Sequence, residues 1–415
     1  MNIYHPLVMS SAAQIVRKMS GGVKGIRYKP AELNKIVKPS KRGYGIPYPV
    51  INRRSISIDY YNQKSNKDKA KNVDRSMNSY IQGNYNIFDI SNRTNLMVSG
   101  KDCKEYVSFL MTCDNKTMEY ETTRKSLALN PDGTMLGVGI VNRWKNYYSI
   151  IMDGGKSDTL LEHFFDHKVG FDISLSNNLV DNLYLFKGPA SLWAVEQVMH
   201  YLNNNQNKGC KVLSSLNYQR NINFANQLTP NNSFSVINTP QGYIVSINKQ
   251  ISDRVFSNLN MCVSSSKDYE TNRVEAGQPC FTRDLQGNYN PIEANLHSHF
   301  SKNYKYSKRG CLGSSFLGKN PLFSENGTFK RFPRTRVMLY SCDKGLIPPE
   351  NSSIYSNGVK VGTVTSAASS SYLKCIVAMG YVNLEKTFKT RSFSLAREIV
   401  KKVEISGNSY FIKFL

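Results

Sequence analysis

From residue 86 onward, apolar positions fall into short blocks whose period switches between two and about 3.6 residues. Asn86–Ile90, Leu96–Ser99, Ser126–Leu129, Met135–Val141, Tyr147–Met152 and Leu183–Phe186 read as strands. Lys101–Met111, with Tyr106, Val107 and Leu110 on one side, reads as a helix, as do Thr159–His167 and Ser191–Leu202. Asn130-Pro-Asp-Gly133 is a strong turn signal between two of the strands. From about Arg334 the pattern becomes strands and turns only: Arg336–Tyr340, Ser353–Ser356, Val359–Ser366, Ile376–Val382 and Glu404–Phe414, with a tight turn at Asn357-Gly358. A small closed or nearly closed β-structure is the economical reading. Helices and hairpins mix without a glycine-rich phosphate loop, which predicts an α+β chain with antiparallel sheet and disfavours a doubly wound nucleotide fold.

Charge changes this picture. Across 415 residues, 54 Lys and Arg stand against 30 Asp and Glu, a net +24 that points to an anionic partner. Residues 1–80 hold 16 basic and four acidic side chains, and residues 301–345 hold ten and two, so two segments carry most of the excess. Lys24, Arg27, Lys29, Lys38, Lys41 and Arg42 in the first segment are candidate partner-binding cations. Lys305, Lys308, Arg309, Lys330, Arg331, Arg334 and Arg336 are their counterparts in the second. Tyrosines interleave with both groups, as stacking on single-stranded RNA would require, and a solvated basic face is the bland alternative. The acid-poor stretch from Met1 to Lys41, with a short amphipathic pattern over Ser10–Met19, has the character of a mitochondrial targeting segment and predicts a matrix location, or the matrix face of the inner membrane. No run of 18 apolar residues predicts a spanning helix. The eight cysteines include no C-x-x-C pair, so mostly buried free thiols are expected and a metal is not. His163 and His167 lack a third ligand and read as a surface face, and His297 and His299 receive no role.

Several segments resemble a known family in content and order. Gly358-Val-Lys-Val-Gly-Thr-Val-Thr-Ser366, Tyr372-Leu-Lys374 and Val377-Ala-Met-Gly-Tyr-Val382 resemble the C-terminal barrel of the glycine cleavage T-protein, the aminomethyltransferase. Upstream, Ile87-Phe-Asp-Ile-Ser91, Leu185-Phe-Lys-Gly-Pro-Ala190, Arg273-Val-Glu-Ala-Gly277 and Pro291-Ile-Glu-Ala-Asn-Leu296 are similar to further family segments. The resemblance implies a cloverleaf of two α/β folate-binding-type lobes and a C-terminal β-barrel. The corresponding division is a basic extension and linker over 1–73, a folate-binding-like region over 74–320 and the barrel over 321–415.

By that resemblance, the expected chemistry is transfer of a methylene unit from a carrier aminomethyl group to tetrahydrofolate, guided by a carboxylate near the reacting nitrogens. The family's paired Asp positions fall on Gly137 and Val138, neither of which carries charge. A second acid, an acceptor for pterin N–H groups, falls on Ile244, and an Arg that pairs with the folate's acidic tail falls on Tyr269. Asp132 is a poor substitute across a turn, and Arg273 and Glu275 are assigned a structural role. Lys308-Arg-Gly-Cys-Leu-Gly-Ser-Ser315 only echoes the motif of an iron-sulfur assembly branch. These departures predict no bound cofactor and a non-catalytic, pseudoenzyme subunit of a large mitochondrial assembly. A ribosome with rRNA against the basic patches is favoured, and a respiratory-chain complex with anionic lipid comes next. The alternative is an active tetrahydrofolate-dependent aminomethyltransferase with a displaced carboxylate.

Overall fold

A computed structural model describes residues 85–155, 157–204, 222–223, 234–287, 289–301, 316–341, 345–390, 396 and 401–415. The N-terminal cations from Lys24 to Arg42 lie outside the described residues, as do Lys305, Lys308, Arg309, Cys210, Cys311 and Cys342.

In chain order the elements are β1 (Asn86–Asp89), β2 (Thr94–Ser99), α1 (Cys103–Leu110), β3 (Thr122–Leu129), β4 (Met135–Arg143), β5 (Tyr147–Asp153), α2 (Ser157–Asp166), β6 (Ser174–Asn177), β7 (Asp181–Lys187) and α3 (Ser191–Asn204). They continue with β8 (Ile222–Asn223), β9 (Phe234–Thr239), β10 (Gly242–Asn248), α4 (Lys249–Asn258) and α5 (Ser266–Glu275). The barrel strands are β11 (Arg334–Ser341), β12 (Ser353–Ser356), β13 (Val359–Ser370), β14 (Cys375–Asn383), then after α6 (Leu384–Phe388), β15 (Lys402–Ile405) and β16 (Asn408–Phe414).

Two antiparallel five-stranded sheets, ordered β3-β4-β5-β2-β6 and β1-β7-β10-β9-β8, share the first part of the chain. Each buries one face under helices. Tyr106, Val107 and Leu110 of α1 and Leu160 and Phe164 of α2 cover the first sheet, while Val195, Val198, Val255 and Phe256 of α3 and α4 cover the second. The other faces meet through Phe88, Leu183, Leu185, Ile237 and Ile244 on one side and Ile140, Trp144 and Ile151 on the other. Strands that alternate toward two apolar neighbours in this way make a four-layer stack.

The expected turns form for local reasons. Gly133 takes φ +82° at the β3–β4 turn, and Asn357 and Gly358 both take positive φ (51° and 75°), the left-handed pair that a two-residue hairpin requires. β11-β14-β13-β12-β15-β16 closes as a barrel, since β16 pairs back on β11, so the closed reading of the C-terminal strands holds. Val274 of α5 packs with Met338, Val377 and Met379 and so joins the barrel to the two-sheet body.

Arg273 locks the same junction electrostatically. Its guanidinium, 1% exposed, lies 2.8 Å from the fully buried Asp284 and 2.6 Å from Glu270, and donates to Ser366 Oγ of β13. The structural role expected of Arg273 is the one observed, and the two carboxylates hold its ionisation firmly in the charged form despite burial.

Candidate functional site

A cavity of about 370 Å³ opens where the interface between the two sheets ends against α5 and the barrel. Val138, Gly139 and Ile140 of β4 form one wall, Ile244 and the β9–β10 turn another, and Tyr269 and Arg273 of α5 a third. The 295–299 segment, Arg336 of β11 and the terminal Leu415 close the remainder.

Strand register decides which residues reach it. Lys125 lies opposite Ile140 and Leu127 opposite Val138 across β3–β4, and Val138 lies opposite Asp153 across β4–β5. Residues two apart share a face, so Lys125, Val138, Ile140 and Asp153 project together into the cavity. Gly137 points the other way. A Cβ built there would stand 3.2 Å from the Met152 methyl and 3.4 Å from Leu160, inside the apolar layer beneath α2. Of the two positions at which the resemblance implies an acid, only Val138 therefore belongs to the site. Gly139 is obligatory for packing, because a Cβ there would fall 2.0 Å from the Ile151 carbonyl oxygen.

These orientations predict opposite outcomes for neighbouring substitutions. Gly137→Asp places an unpaired charge against Met152 and Leu160 and should lower stability by about 3–5 kcal/mol. Val138→Asp faces the cavity and should cost about 1 kcal/mol. Urea titration of both variants checks the assignment, and equal losses would contradict it.

The sites nominated by resemblance converge. Val138, Ile244 and Tyr269, which are distant in sequence, all line this one cavity. Tyr269 stacks edge-on with Phe88 at 5.4 Å, and its hydroxyl accepts a 2.8 Å hydrogen bond from Arg93 Nη2. The guanidinium missing from position 269 thus has a neighbour that reaches in from the β1–β2 loop. Sequence reading missed Arg93, Lys125, Asp153 and His299, because nothing in their local patterns marks them; strand register and the α5 packing bring them together. Asp153 Oδ2 accepts from the Phe281 amide at 3.0 Å.

The cavity wall is cationic on balance. Burial pulls the Lys125 ammonium below its ordinary pKa. His299 is pushed down to about 3 by burial first and then by the Lys125 charge, and it is neutral at physiological pH. Arg336 is 3% exposed, and its Nε and Nη1 donate to the Ala294 and Gly277 carbonyls at 2.9 and 3.1 Å.

Arg336 was expected on a docking surface and is instead an interior residue, because the face of β11 that it shares with Met338 points away from the barrel core and is covered by α5 and the segments around Gly277 and Ala294. Arg334 is bound 2.8 Å from the buried Glu293 and lies over the Tyr289 ring at 4.9 Å. Lys330 and Arg331 are exposed, as a docking role needs. Close to Arg334 a shallow cleft of about 390 Å³ holds Lys360, Lys386 and the stacked Tyr289–Tyr381 pair, 3.8 Å apart. Asp132 caps its own turn through Thr134 and does not reach the cavity.

Two smaller expectations change. His163 is half-buried with an unpartnered Nε2, and its ring centre lies 4.5 Å from that of His167, so the pair is not an open surface face. Of the five described cysteines only Cys113 and Cys375 are buried. Among the described residues no cluster of three His, Cys, Asp or Glu could hold a metal, and no helix is long and apolar enough to cross a membrane.

The fold is aminomethyltransferase-like, and comparison with known proteins agrees. Residues 334–408 match the glycine cleavage T-protein C-terminal barrel domain. An aminomethyltransferase of Staphylococcus carnosus (strain TM300) is 20% identical over 328 residues, covering 76% of this chain and 82% of that protein. The crystal structure of glycine cleavage system aminomethyltransferase T from Bartonella henselae superposes with a TM-score of 0.62 at 18% identity, over 80% of this chain and 86% of the other. Over residues 334–408 the chain carries a glycine cleavage T-protein C-terminal barrel domain, and its fold as a whole is similar to that of aminomethyltransferase T.

Proposed function

We propose that this chain works without aminomethyl transfer, as a structural subunit of a large assembly in the mitochondrial matrix. Its basic surfaces dock on an anionic partner, for which the rRNA of a mitochondrial ribosome is the best candidate. One observation carries the non-catalytic reading. The cavity wall presents Val138, Ile244 and Tyr269 where the resemblance implies two carboxylates and a guanidinium, and a lysine ammonium stands two residues along the same face. Reduced pterins offer N–H donors that need acceptors, and a cationic amine passing through the transition state needs a nearby negative charge. Valine, isoleucine and an ammonium supply neither. For the docking role, support comes from exposed Lys330 and Arg331 and from the cleft that combines Arg334, Lys360 and Lys386 with a tyrosine stack. That pairing of cations and aromatic rings suits nucleic acid.

A second reading is favoured by Asp153. It is the cross-strand partner of Val138, and it lines the cavity, so its carboxylate could serve in place of the implied acid of an active aminomethyltransferase.

A density-gradient separation of mitochondrial extract tests the first reading. Co-sedimentation with ribosomal subunits, reversed by Lys330→Glu/Arg331→Glu, is the expected result. Migration with a respiratory complex would replace rRNA by anionic lipid as the partner. A free monomer that binds tetrahydrofolate at micromolar concentration, and loses transfer activity on Asp153→Asn, would establish the second reading instead.

A further inference from the structure

We infer that the interior cavity is a binding site for a phosphate monoester, held by Lys125, Arg93 and Arg336. The inference rests on the reading that the cavity is no longer a folate site, and it begins from charges without partners. Arg336 is almost wholly buried, and its contacts are two carbonyl oxygens and, at 3.3 Å, the Met379 sulfur; no carboxylate touches it. Asp284 is the carboxylate whose charge acts on it, and that carboxylate's hydrogen bonds go to Arg273, the Cys280 amide and the Thr365 and Ser366 hydroxyls. Lys125 lines the cavity with no hydrogen bond or ion pair, and burial alone accounts for its lowered ionisation. Arg93 donates to one phenol oxygen. Arg336 is buried, Lys125 and Arg93 are half-buried, and cations withdrawn from water without counter-charges are unfavourable, so a site of this kind gains from an anion.

The charge count selects the anion. Arg273 and Arg283 are balanced by Glu270 and Asp284, and His299 is neutral. That leaves Lys125, Arg93 and Arg336 against Asp153, whose Oδ2 is held by the Phe281 amide. The balance of two positive charges matches a phosphoryl dianion better than a single carboxylate. Volume selects the rest of the ligand. About 370 Å³ is several times what a bare ion fills, and Val138, Ile140, Ile244 and Leu296 give the remaining space apolar walls. The ligand class is therefore a phosphate monoester on a compact, largely apolar body.

The test is calorimetric titration of the full-length chain at constant ionic strength with inorganic phosphate, phenyl phosphate and tetrahydrofolate. Saturable one-to-one binding of phenyl phosphate is expected, several-fold tighter than that of inorganic phosphate. Lys125→Met should weaken it tenfold or more, as loss of a charge-assisted contact does, while Lys125→Arg should restore most of it. Lys330→Gln/Arg331→Gln should leave it unchanged, which separates the cavity from the exposed basic surface. Absence of saturable phosphate binding, or equal binding by Lys125→Met, would overturn the inference. Tetrahydrofolate that stays inert in that case leaves the non-folate reading of the cavity standing. Tight tetrahydrofolate binding with no phosphate binding would sink both.

Discussion

Asp284→Ala should lower the unfolding free energy by about 3–5 kcal/mol. Asp284 is fully buried in the π-helical turn Phe281–Leu285 and accepts from Arg273 Nη1 at 2.8 Å, the Cys280 amide at 2.9 Å, Ser366 Oγ at 2.8 Å and Thr365 Oγ1. Its own carbonyl accepts from the Tyr381 hydroxyl of β14. The carboxylate thus ties α5, the turn and β13 together, and the backbone carbonyl of the same residue adds β14. Removing it leaves a guanidinium that is 1% exposed with Glu270 as its remaining acid, leaves the buried Ser366 hydroxyl short of an acceptor, and leaves Thr365 only the Met379 carbonyl at 3.3 Å. The Coulomb attraction of such a pair barely offsets its desolvation, so the loss comes from leaving buried donors, Arg273 Nη1 and the Cys280 amide among them, without their acceptor more than from the attraction itself. The double variant Arg273→Met/Asp284→Ala should consequently be less destabilised than the sum of its two single variants, by about 2 kcal/mol. Urea titration of the four proteins measures this coupling. A loss below about 1 kcal/mol for Asp284→Ala would show that the junction does not depend on the pair.

The elements that period and turn chemistry could mark are the ones the sequence foretold. Strands β1 to β5, β7 and the barrel lie within a few residues of their expected spans, because alternation and the Asn-Pro-Asp-Gly and Asn-Gly signals are local. The short β6 and two-residue β8 carry no such local signal, and β9, β10, α4 and α5 were not among the expected elements either. The site was legible only through resemblance, and then only in part. Val138, Ile244 and Tyr269 line one cavity, whereas Gly137 lies on the opposite face of its strand from Val138, since a strand turns adjacent residues to opposite faces. Lys125 and Asp153 escaped notice because their importance lies in the β3-β4-β5 register, and Arg336 was misplaced because a basic segment in sequence need not be a basic surface. Whether a charge in a strand faces water or core depends on the sheet's other layer, which charge counting does not see.

Stability should fall by about 3 kcal/mol between pH 7 and pH 5, a window in which an ordinary carboxylate-stabilised protein changes little. Two histidines set it. His299 is pushed down to about 3 by burial, with Lys125 and Arg336 adding repulsion. His163 is pushed down to about 4 by burial and by its neighbour His167, against a smaller opposing pull from Asp166. In the unfolded chain both titrate at their ordinary 6.5. Above that value both rings are neutral in either state and the stability is complete. As the pH falls below it the unfolded chain takes up protons that the folded chain refuses, so unfolding gains up to about 1.4 kcal/mol per pH unit for each ring until the folded value is reached. Over the 1.5 units down to pH 5 this gives about 2 kcal/mol for His299, and about half as much for the more solvent-screened His163. Asp132, whose carboxyl is held below its usual range by Thr134, works in a lower window and leaves this interval untouched. Urea midpoints at pH 7.5, 6 and 5 should therefore decline steadily below about pH 7, and His299→Asn should remove most of the slope. A flat profile, or an unchanged slope in His299→Asn, would mean that the ring at the cavity wall meets water or an acid in the folded protein.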